Sequence, residues 1–148
     1  MSDVALLWQV DHADIAINGA DLQSDDGLDT AVILSLFLDR RAAPDDILPP
    51  GTDPRGWWAD TFADVQGDLI GSRLWLLGRE KQLDNVAQRA QEYAEEALAW
   101  LVQDGVSSSV TVAAAWIARG TLGLAVSIQR PAPQQPFNRQ YQYVWSAM

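Results

Sequence analysis

The chain has 148 residues, enough for one hydrophobic core, and at 48% hydrophobic and 20% charged it has the composition of a globular protein. A formal net charge of −10 excludes nonspecific nucleic-acid binding, because phosphate contacts need a basic surface. With no cysteine there is no disulfide framework, thiolate metal site or cysteine nucleophile, which fits synthesis in a reducing compartment.

Leu6–Val10 and Asp14–Asn18 are short β-prone segments separated by Asp11-His12-Ala13, read as a hairpin or an extended lead-in, and Asn18-Gly19 supplies a further turn. Asp26-Gly27-Leu28-Asp29 opens a helix, with Asp26 as N-cap and Asp29 at the positive end of the dipole. It is expected to run to Arg40-Arg41, cations at its C-terminus, and to be buried on more than one side because apolar residues surround it. Pro44, Pro49, Pro50 and Pro54 make residues 42–56 a loop. A turn at Gly67–Gly71 leads to a short helix at Ser72–Leu77, with Ser72 as its cap. The clearest helix is Lys81–Gln103, whose stripe runs from Leu83 and Val86 through Tyr93 to Leu101 and Val102, with Gly105 as C′ residue. Val110–Trp116 and Leu122–Ile128 read as strands joined at Arg119-Gly120-Thr121. Pro131, Pro133 and Pro136 form a spacer, and Arg139–Trp145 alternates as a terminal strand with Tyr141, Tyr143 and Trp145 on one face. The pattern predicts an α+β fold: a small, mostly antiparallel sheet on two or three helices, in one domain spanning 1–148, with 131–148 as proline-rich spacer and terminal strand. The longest apolar stretches, Thr30–Leu38 and Val110–Ala118, fall far short of a membrane span, and no basic residue precedes a hydrophobic run at the N-terminus as in a secretory signal.

Charge is unevenly distributed. Residues 1–68 hold 14 acidic and 3 basic side chains, and after Asp104 the only charged residues are Arg119, Arg130 and Arg139. That polarity suits head-to-tail or partner assembly, or is simply a solvated surface. Searches for chemistry give little. Around Gly27 the acidic residues do not meet EF-hand spacing, since Leu22 and Ile33 would fall at its first and twelfth positions. A lone His12 cannot build a triad or a His-rich metal site. Gly67-x-x-x-Gly71 lacks the spacing and lysine of a phosphate loop. Asp60, Asp64 and Asp68, or Glu92, Glu95 and Glu96, are the candidates for a paired-carboxylate glycoside hydrolase, and the second group reads as a solvated helix face. Residues 55–81 stand out instead, with Trp57, Trp58 and Trp75 among glycines, Arg55, Arg73, Arg79 and Lys81. Tryptophan and arginine so mixed mark an interface, with at least one tryptophan needed by the core.

Arg-Gly-Trp-Trp at 55–58, Gly-Ser-Arg-Leu-Trp-Leu-Leu at 71–77, Glu-Tyr-Ala-x-x-Ala-Leu-x-Trp-Leu-Val-x-Asp-Gly-Val at 92–106 and Ile-x-Arg-Pro at 128–131 together resemble the baseplate wedge protein family of Mu-like contractile-tailed bacteriophages. Asp-Asp-Gly-Leu-x-Thr-Ala-Val at 25–32 and Asp-Arg-Arg-Ala at 39–42 fit the same pattern, so the likeness runs from Trp8 to Trp145. It is similar to the sheath-initiating wedge subunit of phage tails, tailocins and type VI secretion baseplates. The resemblance implies a structural, non-enzymatic protein of the virion tail baseplate, made in the host cytoplasm; the failed motif searches lead one to expect no cofactor or metal. It would dock on the larger wedge subunit, near the inner hub or tube proteins, and offer a surface from which the tail sheath assembles. No nucleic-acid or membrane partner is expected, from the acidic charge and the short apolar stretches. A related wedge family has carried a lysozyme label, which leaves a cell-wall hydrolase as the other reading. Carried onto this chain, Trp57, Trp58, Gly71, Ser72, Arg73, Trp75 and Leu76 are the expected wedge-subunit interface. Arg139, Gln140, Tyr141, Gln142, Tyr143, Val144 and Trp145 are the expected sheath interface, by strand addition. The alternative for that strand is that it completes the chain's own sheet.

Overall fold

The computed structural model describes residues 3–144 apart from Val10, Asp26, Pro49, Arg79 and Gln82. The expected N-cap Asp26 and the last strand residue Trp145 therefore lie outside the described residues.

The chain opens with a compact arm of six short strands: β1 (Asp3–Val4), β2 (Leu6–Gln9), β3 (His12–Ile15), β4 (Ile17–Asn18), β5 (Asp21–Leu22) and β6 (Ser24–Asp25). Antiparallel pairs β2–β3 and β4–β5 are two hairpins, and β1–β6 closes their base. His12 and Ala13 belong to β3, not to the turn, because the register pairs Gln9 with His12 and Trp8 with Ala13. The three pairs meet at a junction where Ala5 N–H donates to Gln23 O (2.8 Å), Ala16 N–H to Ala5 O (2.9 Å) and Gln23 N–H to Ala16 O (2.8 Å). Both alanines are buried there, where only a small side chain suits so close a meeting of backbones.

Helix α1 (Leu28–Phe37) starts after Gly27, whose φ of 88° favours glycine, and carries Asp29 in its first turn. Leu28, Val32, Ile33 and Leu36 are all buried, so the helix is enclosed on more than one side, as its apolar pattern predicts. Thr30 ties the arm to it, donating through Oγ1 to Val4 O (2.8 Å) and accepting Leu6 N–H (3.3 Å). The helix does not reach Arg40-Arg41. It ends at Phe37 with Leu38 extended, because the backbone beyond it is captured by Ser72, as described below.

Among the described residues of 42–56 there is no helix or strand, as the prolines of this stretch lead one to expect. Two 3-10 segments follow, Trp58–Phe62 and Leu74–Leu77. The single helix expected over Lys81–Gln103 is two: α2 (Asp84–Leu98) and a turn of helix, α3 (Trp100–Gln103), divided at Ala99. Val86, Ala87, Ala90, Tyr93, Ala94, Ala97, Leu98 and Leu101 form the predicted buried stripe. Leu83 and Val102, at its ends, are exposed, because neither lies over the core once the helix starts at Asp84 and breaks at Ala99. Gly105 follows α3 at φ 75°, consistent with its predicted terminating role.

The main sheet is β7 (Ser109–Ala118), β8 (Thr121–Gln129) and β9 (Phe137–Val144), antiparallel and in that order. Val112, the even-numbered residues Leu122 to Ile128, Phe137 and Tyr141 face α1 and α2, so the fold is α+β with its core between one sheet face and the helices. Strand β9 begins two residues before the predicted start and pairs along β8 from Ile128↔Phe137 to Thr121↔Val144. The terminal strand thus completes the chain's own sheet and supplies core side chains.

Candidate docking surface

Gly71 and Ser72 hold α1 to the segment that follows the loop. Gly71 has φ 91°, and a Cβ there would fall on the Leu38 carbonyl. That absence of a side chain lets Ser72 meet the helix end: its N–H donates to Leu38 O (2.9 Å), its carbonyl accepts Arg40 N–H (3.0 Å), and its hydroxyl donates to Leu36 O. One residue distant in sequence thereby satisfies carbonyls that a helix C-terminus leaves unpaired. Ser72 Oγ also accepts Leu74 N–H (3.3 Å), which places it beside the 3-10 turn it was expected to cap, one residue before the structural cap position. Trp75 and Leu76 are buried too; the Trp75 indole N–H donates to Arg40 O (2.8 Å), and the Arg55 guanidinium lies 4.3 Å above its ring.

Arg73 is partly exposed and joins three elements. It reaches both carboxylate oxygens of Asp46 (3.0 Å), donates from Nε to Glu96 (3.0 Å), and stacks 4.4 Å over Tyr93. Burial opposes its charge, but the two carboxylates outweigh that and raise its pKa. Of the seven residues expected at a wedge interface, Gly71, Ser72, Trp75 and Leu76 therefore point into this chain and brace it.

Trp57 and Trp58 do the opposite. They are 51% and 73% exposed, and with Phe62 at 76% they form a surface aromatic cluster, Trp58 lying 6.0 Å from both Trp57 and Phe62. The 3-10 segment holds them out because nothing on it is buried. Behind it runs a groove of about 440 Å³ whose apolar wall includes Leu34, Ala97 and Trp100 from the helices and Trp57, Phe62 and Leu69 from the loop. Asp60 and Asp68 are its charged residues. Trp100 is fixed by its indole N–H on Ser35 Oγ (3.0 Å), which itself donates to Ala31 O. Phe62 and Trp100 were not singled out from sequence; the repeated aromatic spacing from Trp58 to Phe62 is the signal that could have found the first.

The expected sheath residues sit on both faces of β9. Tyr141 is buried and Arg139 reaches α1, where Asp29 accepts from Arg139 (3.1 Å) and from the Tyr141 hydroxyl (3.3 Å). Burial, then the Asp29 charge, raises the Tyr141 pKa. Tyr143 stacks with Phe37 and Trp8, whose indole N–H donates to Gln142 O (2.7 Å) and closes part of the outer edge of β9. Gln140, Gln142 and Val144 are exposed.

Asp64 and Asp68 are exposed, as are Glu92 and Glu96, and Asp60 accepts Ile70 N–H (3.3 Å) as a loop brace. His12 is exposed beside Asp11. Among the described residues no three carboxylate or imidazole groups gather to hold a metal.

These features define a small α+β scaffold that projects an aromatic turn from an internally braced loop. Residues 28–135 match the model of the family described as phage protein GP46. The chain is similar to "Baseplate protein gp46" of Escherichia phage Mu, at 46% identity over 132 residues, 88% of this chain and 89% of that protein. It is also similar to "Mu-like prophage FluMu protein gp46" of Haemophilus influenzae, at 44% over 114 residues, 77% and 76% of the two chains. The chain belongs to the phage protein GP46 family, a Mu-like phage baseplate family.

Proposed function

We propose that this chain is a non-catalytic structural subunit of a contractile-tail baseplate, which docks on the larger wedge subunit through Trp57, Trp58 and Phe62 and offers its sheet to the tail sheath. The observation that carries the docking reading is the exposure of three large aromatics on one short segment, at a cost no core requirement explains. The name of the phage Mu relative supports the baseplate setting. For the sheath, the sheet offers two edges. That of β9 is partly closed by Trp8, whereas β7 spans ten residues without a charge or a proline and pairs only with β8 among the described residues. Edge strands are ordinarily blunted by such residues, so β7 is the more open site for an added strand, and the β9 residues act by building the sheet it would extend. Arg73 and the buried Gly71, Ser72, Trp75 and Leu76 contribute by fixing the loop that carries the tryptophans.

Co-purification with the larger wedge subunit tests this. Trp57→Ala with Trp58→Ala is expected to abolish capture while leaving thermal unfolding unchanged. Full capture by the double variant refutes the docking surface.

A further inference from the structure

We infer that the Trp57–Asp60 turn is a receptor for an arginine side chain of the docking partner; this rests on the wedge-docking reading and names the chemistry of that site. Elsewhere the chain repeats one arrangement, an arginine held between an aromatic face and a carboxylate. Arg55 lies 4.3 Å from the Trp75 ring and 2.6 Å from Asp39. Arg73 lies 4.4 Å from Tyr93 and 3.0 Å from Asp46. Arg89 lies 5.9 Å from Tyr93 and 2.7 Å from Glu80. Planar guanidinium suits this site because it can stack on a ring while its edge donates to a carboxylate.

Trp57 and Asp60 present the same two partners without the cation. They lie one turn apart, joined by Asp60 N–H on Trp57 O (3.1 Å), and line the same groove. Among the described residues neither arginine nor lysine lines it, and the charged residues that do are aspartates. One Asp60 oxygen accepts Ile70 N–H; the other is buried with no hydrogen-bond donor among the described residues. A buried acceptor left unpaired is unfavourable, so a donor that reaches it gains more than it would at a hydrated carboxylate. Phe62, highly exposed, lines the same groove, and side-chain adjustment at such a position is of the kind interfaces commonly make. The occupant is thus an arginine with an apolar neighbour: the guanidinium against Trp57 and Asp60, the neighbour over Leu69 and Trp100.

The test is an NMR titration of the full chain, following the Trp57 and Trp58 indole N–H signals, with N-acetyl-Leu-Arg-Leu-amide and its citrulline counterpart as probes. The arginine peptide is expected to bind at least tenfold more tightly, and Asp60→Asn to weaken it at least fivefold, with Asp64→Asn changing it less than twofold. Asparagine keeps an acceptor for Ile70 N–H, so the loop survives the change. Equal binding of the two peptides, or an unaffected Asp60→Asn protein, overturns the inference. Capture of the larger wedge subunit separates the two ideas. Capture lost in Trp58→Ala but unchanged in Asp60→Asn leaves the docking surface standing and refutes the arginine receptor. A selective peptide site with capture unchanged in both variants supports the receptor and refutes docking there.

Discussion

Replacing Gly71 by alanine should unfasten α1 from the loop that carries the tryptophans. At φ 91° any other residue is strained, by about 1–3 kcal/mol. The added Cβ also collides with the Leu38 carbonyl, a backbone group that can move only by drawing away from Ser72. That lengthens the Ser72 N–H bond to Leu38 O and the Arg40 N–H bond to Ser72 O, each worth roughly 1 kcal/mol net. The expected loss is therefore about 3–5 kcal/mol, a large part of the stability of an ordinary domain. Gly67 supplies the control: its φ is 82°, yet a Cβ there meets nothing within 4 Å, so its alanine variant carries the strain alone. Urea unfolding followed by circular dichroism reads both. With a slope of about 1–3 kcal/mol/M, the Gly71→Ala midpoint should fall by roughly 2 M and that of Gly67→Ala by about half as much or less. Equal shifts in the two variants would refute the clasp, because strain would then explain everything.

Deleting Arg139–Met148 should leave the protein unable to fold stably, since it takes the buried Tyr141 and the stacked Tyr143 from the core; cooperative unfolding of the truncated chain would contradict this. In a phenolate absorbance titration of the folded protein, Tyr141 should ionise above the ordinary tyrosine range. Its pKa is raised on folding, so the stability it contributes is complete below the unfolded value of about 10 and declines as pH rises above that. Asp29→Asn, which removes the second cause of the shift, should move the Tyr141 titration back toward the ordinary value without restoring it fully, because burial is the larger cause.

Elements defined by periodicity were legible from sequence: the helical stripe from Val86 to Leu101, the β7–β8 hairpin and, from two residues earlier than expected, the terminal strand all appear. What the pattern hides is long-range competition for backbone groups. Arg40-Arg41 read as a helix end by composition, but Ser72, thirty-odd residues away, takes the carbonyls and stops α1 at Phe37. Local sequence likewise cannot show that Gln23 closes a junction with Ala5 and Ala16. At the candidate site the tryptophan-rich segment stood out at once, yet its division was invisible. Trp75 and Trp58 are the same residue type in the same segment, and only the fold decides that one bonds to Arg40 while the other faces water.

That division is tested most directly by hydroxyl-radical footprinting of assembled tails against the free protein. Docking through the aromatic turn predicts that oxidation of Trp57, Trp58 and Phe62 falls severalfold on assembly, with Trp75 low in both states. Oxidation of Trp57 and Trp58 as rapid in the assembled baseplate as in the free chain would contradict it.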